Sequence, residues 1–229
     1  MNKSNFKSEF GIALILGSVW GLAETALGFG LHRCAANMSG SLMTGVALFF
    51  IGACWAATRR IWAPIATVLV ACIFKLFDAV LLDQPVISGS IANPVFAFLT
   101  EGLAIIGLIA IITDKRLSTR FSRAMLGAGS ALIAVCLFPL AKYLTGVPAC
   151  LYESTGIPLS IVFGPIAIAL SAITVPLAFP AGEWIDSISK NIELTQKPNT
   201  LRYLITPGAI ILCLVMVVLF RMIFPESIS

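Results

Sequence analysis

Apolar runs of about 20 residues alternate with short polar segments along the whole chain. A helix rises 1.5 Å per residue, so a run of this length matches the ~30 Å hydrocarbon core of a bilayer. Strict apolar–polar alternation over about 10 residues, the mark of a membrane β-barrel strand, is missing. The pattern predicts an all-α, polytopic helical bundle. Seven spans are expected at about 10–31, 40–57, 61–83, 92–113, 122–146, 157–180 and 203–224 in a single membrane domain. Lys3 and Lys7 precede the first run as in a signal sequence, but the run is too long for a signal h-region and lacks a convincing cleavage site. It reads as an uncleaved first span.

Composition agrees with this reading. Of 229 residues, 59% are hydrophobic and 11% charged, against about 25% charged in soluble domains. In lipid, backbone polar groups must be satisfied within the chain, which leaves helices as the spanning element here. The net charge of +4 does not imply nucleic-acid binding, because the basic residues lie in short loops between spans.

Those loops sort by charge. Lys3, Lys7, Arg59, Arg60, Lys115, Arg116, Arg120, Arg123, Lys190, Lys197 and Arg202 fall on one side, and Arg33 and Arg221 on the other. Cytoplasmic loops carry the excess of Lys and Arg, so the N-terminus is expected in the cytoplasm and the protein in the cell (inner) membrane. One span more or fewer would scramble the sorting. Residues 181–202 form a longer cytoplasmic segment in which Trp184, Ile185, Ile188 and Ile192 share a helical face. An interfacial helix lying on the membrane is one reading, and a linker with fortuitous periodicity is the other.

Five ionisable residues interrupt the spans: Glu24, Lys75, Asp78, Glu101 and Lys142. Each costs about 2.5–3.5 kcal/mol at a helix centre on insertion scales. Spans one, three and five run outward with their charges past the midpoint. Span four runs inward and meets Glu101 about halfway. All five therefore lie between the bilayer middle and the outer face, which suggests a polar cavity open to the outside. Trp20 is one turn from Glu24, Phe98 and Asn93 precede Glu101, and Phe138 and Pro139 precede Lys142. Aromatic walls beside polar groups suit a small organic ligand. The alternative is that these charges pair with one another and only fix helix packing. Lysines near span ends can also snorkel.

Ala13, Gly17 and Gly21 form a small-residue stripe in span one, suited either to internal packing or to docking a partner subunit. Cys34 and Cys150 fall in outer loops and are candidates for a disulfide. His32 is the only histidine, and there is no GxSxG, HExxH or P-loop. The expectation is therefore a protein that is not an enzyme and carries no cofactor or metal. A match between WGLAETALG and FAFLTEGLAIIG hints at an inverted repeat but is too short to build on.

The size, the stripe Ala13, Gly17 and Gly21, and the outward polar layer resemble the substrate-binding S components of energy-coupling factor transporters over about residues 8–180. The resemblance implies capture of a small molecule outside, and partnership with a membrane scaffold subunit and two ATPases. In that family small residues on the first helix often meet the scaffold. The chain departs from it in having a seventh span and the charges Glu24, Glu101, Lys75 and Lys142. Its cobalt and nickel branch uses a histidine near the N-terminus, where Asn2 stands here.

The expectation is a transport protein of the lipid bilayer that binds a small-molecule ligand. Glu24, Lys75, Asp78, Glu101, Lys142, Trp20, Phe98 and Asn93 are the binding residues, with Lys75 and Lys142 holding an acidic group of the ligand, Glu24 and Glu101 holding amine or hydroxyl groups or balancing the lysines, and Trp20, Phe98 and Phe138 supplying apolar walls. The alternative is a non-catalytic membrane subunit of a proton-moving or electron-transfer complex, since buried Glu and Lys also build relays.

Overall fold

The computed structural model describes residues 3–34, 38–112, 114–146, 151, 156–195 and 200–223. The described residues are almost entirely helical: α1 Lys3–Cys34, α2 Ser39–Thr58, α3 Trp62–Leu81, α4 Gly89–Ile111, α5 Arg120–Leu137, α6 Ala141–Thr145, α7 Leu159–Val162, α8 Gly164–Thr195 and α9 Thr200–Ile223. Seven of the helical stretches are long and apolar enough to cross a membrane: Ser8–Gly28, Ser39–Thr58, Trp62–Leu81, Gly89–Ile111, Arg120–Tyr143, Gly164–Ile192 and Leu204–Ile223. The protein is thus a multi-pass helical bundle. Its outer apolar side chains, such as Leu69, Ile73 and Val80 on α3 or Ile211 and Leu212 on α9, are placed to meet lipid.

The helices alternate in direction, and their end contacts show it. At one end Arg60 pairs with Glu9, and Glu183 lies between Arg59 and Arg123. This cation-rich end gathers residues that the charge sorting places on a single side. At the other end Asp78 meets Arg221, and Ser41 donates to Phe163 O. α2 lies at the centre, with α1, α3, α4, α5 and α8 against it. α9 sits outside, packed on α1 and α3, and is the least buried span.

Close approach depends on small residues. A Cβ on Gly17 would come within 2.7 Å of Thr67 O and of Val70 Cβ, and one on Gly21 would overlap Phe74. On α8, a Cβ on Gly182 would run into the α2 backbone at Ala53. Thr67 bridges the first of these seams, its hydroxyl 3.2 Å from Ala13 O. The stripe Ala13, Gly17 and Gly21 is therefore occupied by α3. This corrects its assignment as a partner-docking face: the small residues let two helices of this chain touch.

Two further expectations change. The fifth span is not a continuous α-helix over 122–146. Pro139 has no N–H to donate and its ring crowds the preceding turn, and the chain passes through a 3₁₀ turn at Phe138–Leu140 before α6. Residues 181–195 are not a separate interfacial helix either, since they continue α8 without a break. At 32 residues α8 is about 48 Å long and overshoots the hydrocarbon core. Its extension packs on the start of α1, where the Ser8 and Ser189 hydroxyls are 2.7 Å apart and Ile185 joins the Ile12–Ala13 cluster. Trp184 stays exposed.

Candidate functional site

α1, α3 and α9 bring ionisable side chains together toward the end of the bundle opposite the cation-rich one, and Glu101 of α4 lies deeper, where Gly102 packs on Val68, ten residues before Asp78 on α3. The polar layer has two parts at different depths and with different chemistry.

The first part is a closed ion-pair cluster around Asp78. Asp78 is fully buried on α3. Arg221 of α9 grips it with two hydrogen bonds, Nε to Oδ1 at 3.2 Å and Nη2 to Oδ2 at 2.8 Å. Lys75, one turn earlier on α3, places Nζ 3.6 Å from Oδ2. The Thr25 hydroxyl lies 3.5 Å from the same oxygen and 3.2 Å from Gly21 O. A carboxylate with a two-point guanidinium clamp and a second cation is well compensated. This cluster ties α9 to α3 and α1. Its chemistry is used within the fold.

The second part is not compensated. Glu24 on α1 is 5% exposed and Glu101 on α4 is 3% exposed. The two carboxyls are within electrostatic reach of each other. Glu24 also feels Lys75 and Asp78, but no lysine or arginine among the described residues lies within 4.0 Å of either glutamate. Glu101 Oε2 is buried without a hydrogen-bond partner. Thr44 of α2 lies beside Glu101, yet its hydroxyl proton is donated to Gly40 O at 3.0 Å. The aromatic neighbours are in place: Trp20 and Phe98 are buried with ring centroids 4.8 Å apart. Trp20 Nε1 has no acceptor, and Asn93 Oδ1, two turns from Glu101 on α4, has no donor. Buried polar atoms are nearly always hydrogen-bonded; Glu101 Oε2 and Trp20 Nε1 are two exceptions at this site, Asn93 Oδ1 lies two turns further along α4, and Glu9, Ser160 and Ser171 hold others elsewhere in the fold.

The structure thus brings together Glu24, Lys75, Asp78, Glu101, Trp20 and Phe98, with Asn93 further out on α4. Lys142 is not in the cluster. It sits on α6 beyond the 3₁₀ turn, exposed and without an ion pair among the described residues. Phe138 stacks on Phe96 instead, with centroids 6.1 Å apart. The side chain of Cys34, and Cys150 altogether, lie outside the described residues. Arg221 and Thr25 are contributors that sequence reasoning missed. Arg221 was legible only as a lone cation in the last turn of an apolar run, at the membrane level of Asp78. The layer is also enclosed rather than open, since Trp20, Glu24, Asp78, Phe98 and Glu101 are all buried. Among the described residues no group of three or more His, Cys, Asp or Glu could hold a metal ion. No protein-family profile, curated protein or solved structure matches the chain.

Proposed function

We propose that this membrane protein binds a small solute between α1 and α4, in the outer half of the bilayer, and serves solute uptake. The observation that carries the reading is the Glu24–Glu101 pair: two buried carboxyls on different helices, with no cation within 4.0 Å among the described side chains, beside Trp20 and Phe98 in tilted ring contact. Burying a charge without a partner costs several kcal/mol. A fold concerned only with packing would close this pair as it closes Asp78. Ionisable residues within spans that face the bundle interior are by default candidates for a substrate or ion pathway.

An occupant reaches the layer only when the outer helix ends part, which fits capture from one side of the membrane. The chain has no P-loop, so ATP-driven uptake requires partner ATPases and a scaffold subunit. Such a scaffold meets a surface other than the Ala13–Gly17–Gly21 stripe, which α3 fills.

The test is mass spectrometry of small molecules retained by the purified protein. Wild type should carry a compound that Glu24→Gln and Glu101→Gln lose. Equal contents in all three proteins would end the assignment. Affinity purification from the native membrane tests the partners: co-recovery of two ATPases supports uptake, and co-recovery of redox subunits counts against it.

A further inference from the structure

We infer that the solute is a small organic cation with a protonated amine, held between Glu24 and Glu101 against Trp20 and Phe98. This rests on the site proposed above and narrows its chemistry. Charge favours this class. Among the described side chains near the site, Lys75 and Arg221 are the cations, and both contact Asp78. Lys75 also acts on Glu24 at longer range, and no cation among the described side chains lies within 4.0 Å of Glu24 or Glu101.

The sense of the orphan atoms agrees: Glu101 Oε2 accepts and Trp20 Nε1 donates, while Asn93 Oδ1 lies two turns away on α4. A partner for the first two supplies a donor, as an ammonium group does, and one acceptor such as a hydroxyl or carbonyl for the indole. An acidic solute finds no waiting cation among the described side chains: Arg221 and Lys75 are engaged, and Lys142 lies outside the cluster on an exposed turn. The sequence-based expectation that lysines hold an acidic group is therefore replaced.

An organic cation fits better than a metal ion. Hard cations such as Ca²⁺ take six to eight oxygen ligands, and no metal-holding group of acidic, His or Cys side chains occurs among the described residues. The Trp20 and Phe98 rings, in tilted contact at 4.8 Å, adjoin the site instead, and aromatic rings attract organic cations.

Matched four-carbon probes test the charge class: n-butylammonium chloride, n-butanol and sodium butyrate at equal ionic strength. The full chain in nanodiscs is followed by its unfolding temperature and tryptophan fluorescence. The expected result is stabilisation by n-butylammonium above both other probes. Glu101→Gln and Glu24→Gln should each weaken its apparent affinity by about tenfold or more, as loss of a charged hydrogen bond implies. If Glu24→Gln does not fold, Glu24→Asp and Glu101→Gln carry the comparison, each against its own probe-free baseline. Preference for butyrate or butanol that the Gln variants abolish overturns the cation class and leaves the site standing. Shifts identical in wild type and variants overturn both. No shift with any probe also overturns the cation class.

Discussion

Replacing Arg221 with methionine removes the two-point clamp on Asp78 and should loosen α9 from the bundle. The clamp matters because of where α9 lies. Its main packing is on α1 and α3, through a small cluster of Cys213 and Val217 with Phe74, backed by Leu22, Val70, Leu81, Ile210 and Leu214. Lipid tails are as apolar as these side chains, so in a membrane their contact has little hydrophobic driving force. The ion pair remains as the specific attraction. A unit charge pair at 4 Å attracts by about 4 kcal/mol at an effective dielectric constant near 20. Breaking a buried pair costs about 3–5 kcal/mol because a charge is left behind. Lys75 stays 3.6 Å from the carboxylate, so Arg221→Met should sit at the low end, at about 3 kcal/mol. Asp78→Leu strands two cations and should cost at least as much. The assay is equilibrium unfolding in mixed micelles of wild type, both single variants and the double variant. The double variant should recover part of the loss, giving a coupling above about 1.5 kcal/mol. Neutral interhelical hydrogen bonds in membranes couple by only about 0.6 kcal/mol. A coupling at or below that value would refute the claim that this pair holds α9.

Other expectations follow from the same geometry. Gly17→Leu should destabilise the fold by about 1–3 kcal/mol or more through overpacking against Thr67 and Val70, seen as a lower unfolding temperature; a stable variant impaired only in partner binding would restore the docking reading. Lys142→Met should leave stability within about 0.5 kcal/mol and solute binding unchanged, because the side chain is exposed away from the cluster; a binding defect would bring it back into the site. Glu183→Gln should cost about 1 kcal/mol or less, since its carboxylate is half exposed between Arg59 and Arg123, and a larger loss in the unfolding assay would contradict that. Arg60→Cys in a chain whose six native cysteines are replaced by alanine should react with an impermeant maleimide only from the cytoplasmic side; labelling from outside would reverse the orientation drawn from the loop charges.

Much of the fold was legible because the solvent imposes it. Length and apolarity of the runs place six of the seven spans within a few residues of the observed ones; span six, expected at 157–180, runs from Gly164 to Ile192. Their alternation was also legible, since cations sorted to one side in sequence do gather at one end through Arg59, Arg60 and Arg123. The misreadings have local causes. Glu183, Asp186 and Lys190 after Pro180 read as the end of span six. A helix tolerates charged residues well, however, and α8 continues with Lys190 paired to Asp186 one turn back. Lys142 was placed by its depth in span five, taken as one unbroken helix over 122–146. A 3₁₀ turn advances about 120° per residue rather than 100°, so the Pro139 turn shifts everything beyond it around the axis.

For the site, Glu24 and Glu101 were legible as isolated charges in apolar runs, and Trp20 and Phe98 as their neighbours one turn away. Which charges neutralise one another was not. Asp78 had Lys75 at helical spacing as its natural partner, and the sequence offers no sign that Arg221, 143 positions later, completes the pairing. That tertiary contact changes the meaning of the layer. It removes Asp78 and Lys75 from the free groups and leaves the two glutamates as the uncompensated pair.

The central claim is that this pair faces a bound solute. The most direct measurement is an experimental density map of the protein purified from its native membrane without prolonged detergent washing. Non-protein density is expected within hydrogen-bonding distance of Glu101 Oε2 and Glu24, lying against Trp20 and Phe98. A well-resolved map in which Glu24 and Glu101 touch only protein atoms, with no added density between α1 and α4, would contradict it.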